Sequence, residues 1–224
     1  MKATLRFSLI IVLLCIACGT GSSPIPTAAS AASSRSVHRL VVLGDSLAVS
    51  PSTAQSFPAQ LQRMVDDAEL PWVVVNAGVS GDTTTGGVRR VEPLLGPDVD
   101  VLVVALGAND GLRGVAPEIV SRNLSTIIEA AQSRDIAVLL CGMETPPTHG
   151  WDYTVAFHRI FPATASKHSV PLVPFLLSGV ALVPEMNGSD GVHPNAAGAG
   201  RIAENVWPFL ESLLRATVSS RPSA

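Results

Sequence analysis

Cysteine is almost missing from the part of the chain that can fold. Of three cysteines, Cys15 and Cys18 lie in the first 18 residues, which leaves Cys141 alone. An internal disulfide and a cysteine-ligated metal are therefore excluded from the folded portion. No zinc-ligand spacing is present, and no glycine-rich loop of the kind that cradles phosphate. Aromatic residues make up only 4%, little material for the stacking platforms that sugar sites use. Charge is also scarce, at 15% of residues, and no Lys/Arg run occurs. The net charge is −3, and removal of Lys2 and Arg6 with a leader would make it more negative. Nothing here favours a nucleic acid or an anionic membrane surface as partner. No apolar run reaches the roughly 18 residues that a membrane span needs. No internal repeat is visible.

What is present begins with Lys2 and Arg6, an almost wholly apolar stretch from Phe7 to Ala17, and small residues after it. Residues 1–18 read as an export signal. The stretch "LLCIACGTGSS" resembles the lipobox of bacterial lipoproteins, with Cys18 as the lipidated first residue of the mature chain. It departs from that motif at Cys15, where leucine is usual, and ordinary cleavage around Ala17 to Gly19 is the alternative. In both cases the protein leaves the cytoplasm, for the periplasm, the membrane surface or the medium. Residues 19–37, "GTGSSPIPTAASAASSRSV", cannot bury enough apolar area to offset the entropy of ordering, so they read as a flexible tether. A single domain is expected over residues 38–217.

That domain alternates two patterns. Short apolar runs at Leu40–Leu43, Trp72–Val75, Val101–Leu106, Ile136–Leu140 and, more weakly, Leu172–Val173 suit strands covered on both faces. Helical stripes lie between them. One runs Val120, Leu124, Ile127, Ile128, Ala131 behind Pro117, and another runs Phe57, Leu61, Met64, Val65, Ala68 around Pro58. A third, Tyr153 to Phe161, should kink or end at Pro162, and the last, Ile202 to Leu213, should be irregular at Pro208. The expected fold class is α/β: a three-layer α/β/α sandwich with a mostly parallel, flavodoxin-like five-stranded sheet. Such sheets bind ligands outside the carboxyl ends of their strands. The residues to examine are those just after each run.

After the first run stands Gly44-Asp45-Ser46. A serine hydroxyl is a weak nucleophile until a base accepts its proton, most often a histidine held by a carboxylate. The late stretch "SDGVHPN" supplies Asp190 and His193, three residues apart, with Pro194 restricting the backbone at His193. A developing oxyanion also needs donors: Gly81 N–H in a tight turn, the Asn109 side-chain amide and Ser46 N–H are candidates. Each residue has a plainer reading. Ser46 could cap a helix, Asp190 and His193 could be an ordinary loop pair, Gly81 a turn glycine and Asn109 a loop hydrogen-bonder. Asp45, Asp82 and Asp110 read as acceptors for backbone N–H groups at turns and helix starts. His158 and His168 are competing bases, with His158 off its helix's apolar stripe and hence solvated. Cys141 reads as a packed thiol. Trp151 and Tyr153 fit a pocket wall and loop packing equally.

Four blocks shift the balance. Gly-Asp-Ser-Leu at 44–47, Gly81 in "VSGDTT", "GAND" at 107–110 and "DGVHP" at 190–194 resemble, in order, the blocks of the SGNH (GDSL) hydrolases. "SGDTT", "GANDGLRG" and "DGVHPN" are most similar to the periplasmic bacterial thioesterase/lysophospholipase and arylesterase group. The likeness spans residues 38 to 215, and departs at Ala108, where that group often has a second glycine. It implies Ser46 as nucleophile, His193 as base, Asp190 as the group orienting it, and Ser46, Gly81 and Asn109 as oxyanion donors. It implies an exported ester hydrolase acting on acyl or aryl esters, lysophospholipids included, with no cofactor and no metal. The expected partner is a small-molecule ester or lysolipid, with no nucleic acid and with membrane contact only through an N-terminal lipid. A carbohydrate O-deacetylase of the same fold is the nearest alternative, and a non-catalytic binding lipoprotein the alternative of another class.

Overall fold

The apolar runs become strands because each can be covered on both faces. The computed structural model describes residues 38–220. The readings of 1–18 as a signal, of 19–37 as a tether and of Cys18 as a lipidation site lie outside those residues. Strands β1 (His38–Gly44), β2 (Trp72–Gly78), β3 (Val99–Ala105), β4 (Ala137–Cys141) and β5 (Leu172–Val173) form one parallel sheet in the order β2-β1-β3-β4-β5. This is the expected flavodoxin-like sandwich. The interior strand β3 is buried from end to end, and Leu40, Val42 and Leu43 of β1 are fully buried. β2 is the exception to two-sided burial: it is an edge strand, and Val73 stands 43% exposed.

Helices α1 (Phe57–Asp67) and α6 (Ala196–Ser220) pack together, while α2 (Thr84–Leu94), α4 (Pro117–Gln132) and α5 (Trp151–His168) form the other layer. A short α3 (Ala108–Arg113) follows β3. The stripe on α4 lies as its spacing implies, with Val120, Leu124, Ile127, Ile128 and Ala131 all fully buried. None of the helices in this part of the chain is long and apolar enough to cross a membrane.

Pro162 does not end α5, which continues to His168, and α6 likewise runs through Pro208. Both rings face solvent. Phe157, Ile160, Phe161, Thr164 and Ala165 on either side of Pro162 are buried. Their packing offsets the roughly 3 kcal/mol that an interior proline costs. Helix α2 carries no stripe strong enough to announce it. Its start is held instead by the Thr83 hydroxyl, which accepts from Gly86 N–H, and by Asp110, which accepts from Thr84 N–H and Oγ1 at 2.8 and 2.7 Å.

Register decides where the chemistry collects. Gly44, the last residue of β1, is paired with Gly78 of β2 on one side and Ala105 of β3 on the other. Three loops therefore leave the sheet at one level. The strand order reverses at β1 and β3, the point at which sheets of this kind bind their ligands.

Candidate active site

Gly44 lets the chain turn back sharply on its own strand. A Cβ there would sit 2.7 Å from the Cβ of Ala48, so only glycine allows the turn Ser46–Ala48 to lie against the strand end. Asp45 closes this turn: its Oδ1 accepts from Leu47 N–H at 2.9 Å, and its carbonyl accepts from Ala48 N–H at 3.1 Å. Ser46 is thereby presented, half-buried, just beyond the carboxyl end of β1.

The late segment meets it there. His193 Nε2 lies 2.9 Å from Ser46 Oγ, and His193 Nδ1 lies 2.7 Å from Asp190 Oδ2. The other oxygen of Asp190 accepts from the backbone N–H groups of Val192 and His193, at 2.9 and 3.0 Å. One carboxylate thus shapes the turn and orients the ring. With an acceptor at Nδ1, the proton sits there and Nε2 offers its lone pair to the serine hydroxyl. These hydrogen bonds from the His193 side chain, then from the His193 and Val192 backbone, hold the Asp190 carboxyl far below the ordinary carboxylate range. The segment is pinned from outside. Gly188 N–H donates to His193 O at 2.8 Å, and Asn195 Nδ2 donates to Glu185 O and Asn187 O at 2.9 and 3.1 Å.

The other two loops bring up donors. Gly81 has φ +77°, a left-handed conformation that a side chain would strain. Arg113 Nη2 donates to its carbonyl at 3.0 Å. Asn109, in the first turn of α3, donates its amide to Asp45 Oδ2 at 3.3 Å. Among the described residues, Ser46 N–H and Gly81 N–H donate to no other group. Ser46, His193 and Asp190 are thus joined in series, with Asn109 linked to them through Asp45 and Gly81 carried by the loop after β2.

Other expectations are sorted by the same contacts. His158 is exposed and paired with Glu144 at 2.6 Å, and the His168 ring bonds Ser125 Oγ at 2.9 Å. Tyr153 donates to Val115 O at 2.9 Å and packs on Phe157, a structural role, while Trp151 is 72% exposed. Cys141 is buried, and its thiol is pushed up to about 12 by burial, so it is a packing group. Asp82 and Asp110 accept backbone N–H groups, from Thr83 and Thr84 respectively. Asp45 does more than close a turn. Fully buried, with its carboxyl raised to about 6 by desolvation, it also engages Asn109. Sequence reasoning also passed over Arg90, which reaches Asp82 and two strand-end carbonyls. Among the described residues, no group of three or more His, Cys, Asp or Glu side chains could hold a metal.

A flavodoxin-like sheet with a serine, a histidine and an aspartate hydrogen-bonded in series over its carboxyl edge defines the class of small α/β hydrolases. Comparison narrows the class. Residues 42–201 match the GDSL-like lipase/acylhydrolase family, and the chain belongs to it. It is 43% identical over 178 residues to esterase TesA of Pseudomonas aeruginosa, an alignment covering 78% of this chain and 89% of that protein. To thioesterase 1/protease 1/lysophospholipase L1 of Escherichia coli it is 36% identical, over 78% of this chain and 84% of the other. The crystal structure of TesA superposes with a TM-score of 0.75 at 41% identity, covering 79% of this chain and 99% of that one. The protein is a carboxylic ester hydrolase of this family.

Proposed function

We propose that the protein hydrolyses acyl and aryl esters outside the cytoplasm through an acyl-enzyme on Ser46. The carrying observation is the unbroken series Asp190–His193–Ser46 at 2.7 and 2.9 Å, at the carboxyl end of β1. Ser46 Oγ attacks the ester carbonyl carbon while His193 Nε2 takes the hydroxyl proton. The negative oxygen that develops is met by Ser46 N–H, Gly81 N–H and the Asn109 amide. As the intermediate collapses, the bond to the leaving oxygen breaks and the imidazolium gives that oxygen its proton. Water then passes a proton to Nε2 and attacks the acyl carbon, the bond to Oγ breaks, and the serine recovers its proton. Asp190 stays ionised throughout and stabilises the imidazolium.

The substrates proposed are short- and medium-chain acyl esters, aryl esters and lysophospholipids. The names of the relatives, esterase and lysophospholipase among them, support this range. The basic start, apolar stretch and Cys18 of the leader support export, with a lipid anchor at Cys18 as the specific form. The decisive measurement compares p-nitrophenyl ester hydrolysis by the wild type and Ser46→Ala. The variant should lose at least about 10³-fold in kcat. Activity that survives the substitution overturns the mechanism. A panel of acetyl, octanoyl and palmitoyl esters, lysolipids and acetylated xylan then ranks the acyl groups and tests the deacetylase alternative.

A further inference from the structure

Arg90 sits on α2, outside the set of residues that exchange protons or touch the ester, yet all three of its guanidinium nitrogens donate hydrogen bonds. Nε donates to Asp82 Oδ2 at 2.6 Å, Nη1 to Ala77 O at 2.5 Å, and Nη2 to Gly44 O at 2.7 Å. The ion pair is largely withdrawn from solvent, with the side chains of Arg90 and Asp82 only 23% and 11% exposed. Each acceptor occupies a telling place. Gly44 O ends β1, two residues before Ser46. Ala77 O lies at the end of β2, where the Gly81 loop begins. Asp82 follows Gly81 directly, and its N–H donates to Val79 O at 3.1 Å, closing the turn. Gly44 O accepts a second bond, from Val79 N–H at 3.1 Å, which lashes the Gly81 turn to the end of β1.

We propose that Arg90 is the positioning residue of the oxyanion site: its planar fork locks the Ser46 turn and the Gly81 turn into one rigid frame, so that their two N–H groups converge on a single point. The inference rests on the reading of those two N–H groups as oxyanion donors. Two donors serve one oxygen only if both come within about 2.7–3.1 Å of it, and an error of about 1 Å can cost on the order of 10²-fold in rate. Backbone donors cannot be re-aimed by rotating a side chain, so the frame beneath them must be stiff. A guanidinium suits this task because its donors lie in one plane at fixed angles and it keeps its proton. Lysine could supply the charge at Asp82 but not three donors in one plane.

The test compares Arg90→Lys, Arg90→Gln and Asp82→Asn with wild type, all in the full chain. Active-site titration with a p-nitrophenyl phosphonate corrects each rate for the folded, competent fraction. Per active site, kcat for p-nitrophenyl butyrate should fall about 10- to 100-fold in both Arg90 variants, with KM changed less than about threefold. Asp82→Asn, which keeps both carbonyl contacts, should show a smaller fall of the same kind. Inhibition by an alkylboronic acid, which mimics the tetrahedral oxyanion, should weaken by the same factor as kcat. Wild-type kcat per titrated site in Arg90→Lys overturns the proposal, as does an effect confined to KM. If Arg90→Gln does not fold, Arg90→Lys and Asp82→Asn decide the matter alone. Ser46→Ala separates the two levels: full activity in that variant sinks the nucleophile assignment itself, whereas an inactive Ser46→Ala beside an unimpaired Arg90→Lys sinks only the role of Arg90.

Discussion

Asn109 shows how one contact can prepare a side chain for a second. Its amide nitrogen carries two hydrogens, and the contact with Asp45 Oδ2 uses one and sets which way the amide faces, so that in the proposed mechanism the other serves the oxyanion. Asn109→Ala should therefore lower kcat by about 10²–10³ with little change in KM. An effect chiefly on KM, measured by steady-state kinetics, would reassign it to substrate binding. Asp45 adds a pH signature. Its carboxyl titrates near 3.8 when exposed and at about 6 in the fold, because burial disfavours the charged form. Between those values the folded protein holds a proton that the unfolded chain has released, so stability falls as pH rises through the window. The loss is on the order of 3 kcal/mol once the group is ionised. Asp45→Asn should flatten this dependence, measured as the change in urea midpoint between pH 4 and 7. An unaltered slope would show that another group carries it. Ser46, Asp190 and His193 were legible because their side chains carry the required chemistry and stand in blocks that resemble a known family. Arg90 was not, since two of its three partners are carbonyl oxygens that every residue possesses.

At the scale of elements, apolar spacing located all five strands and the helices with strong stripes. The physical basis is simple: a buried face needs an apolar residue at each turn or alternate position, whatever the neighbours are. Helix α2 was not anticipated, and its start is held by Asp110 and Asn123, which reach Thr84 across long sequence separations. At Pro162, of the two expected outcomes, a kink or an end, the end does not occur. Pro162 removes one helical hydrogen bond on the solvent side of α5, while the residues around it are anchored by burial. Pro162→Ala should restore that bond and raise stability by about 1–2 kcal/mol, the interior-proline cost less the entropy returned to the unfolded chain. A thermal melt checks this, and an unchanged or lowered midpoint would show that the ring itself is part of the packing. Catalytic rate should not move, because Pro162 lies on the solvent-facing side of α5.

For the molecule as a whole, the site exists only while the sheet does. Ser46, Gly81, Asn109 and His193 come from four segments, and no short piece of chain holds two of them in contact. Esterase activity and the tryptophan fluorescence to which buried Trp72 contributes should therefore be lost at the same urea concentration, as expected if the domain unfolds cooperatively. Activity lost earlier would mean that the 187–195 segment opens on its own. The amino-acid order alone determined the α/β class, the strands, and the candidate nucleophile, base and carboxylate, because periodicity and side-chain chemistry are local properties. Tertiary structure alone decided that β1, β2 and β3 end in register, that the imidazole reaches the hydroxyl, that Asp45 engages Asn109, and that Arg90 bridges the ends of β1 and β2 to Asp82. Those are relations between residues as many as 147 positions apart, set by packing and by hydrogen bonds to backbone, and packing has no spelling in a linear string.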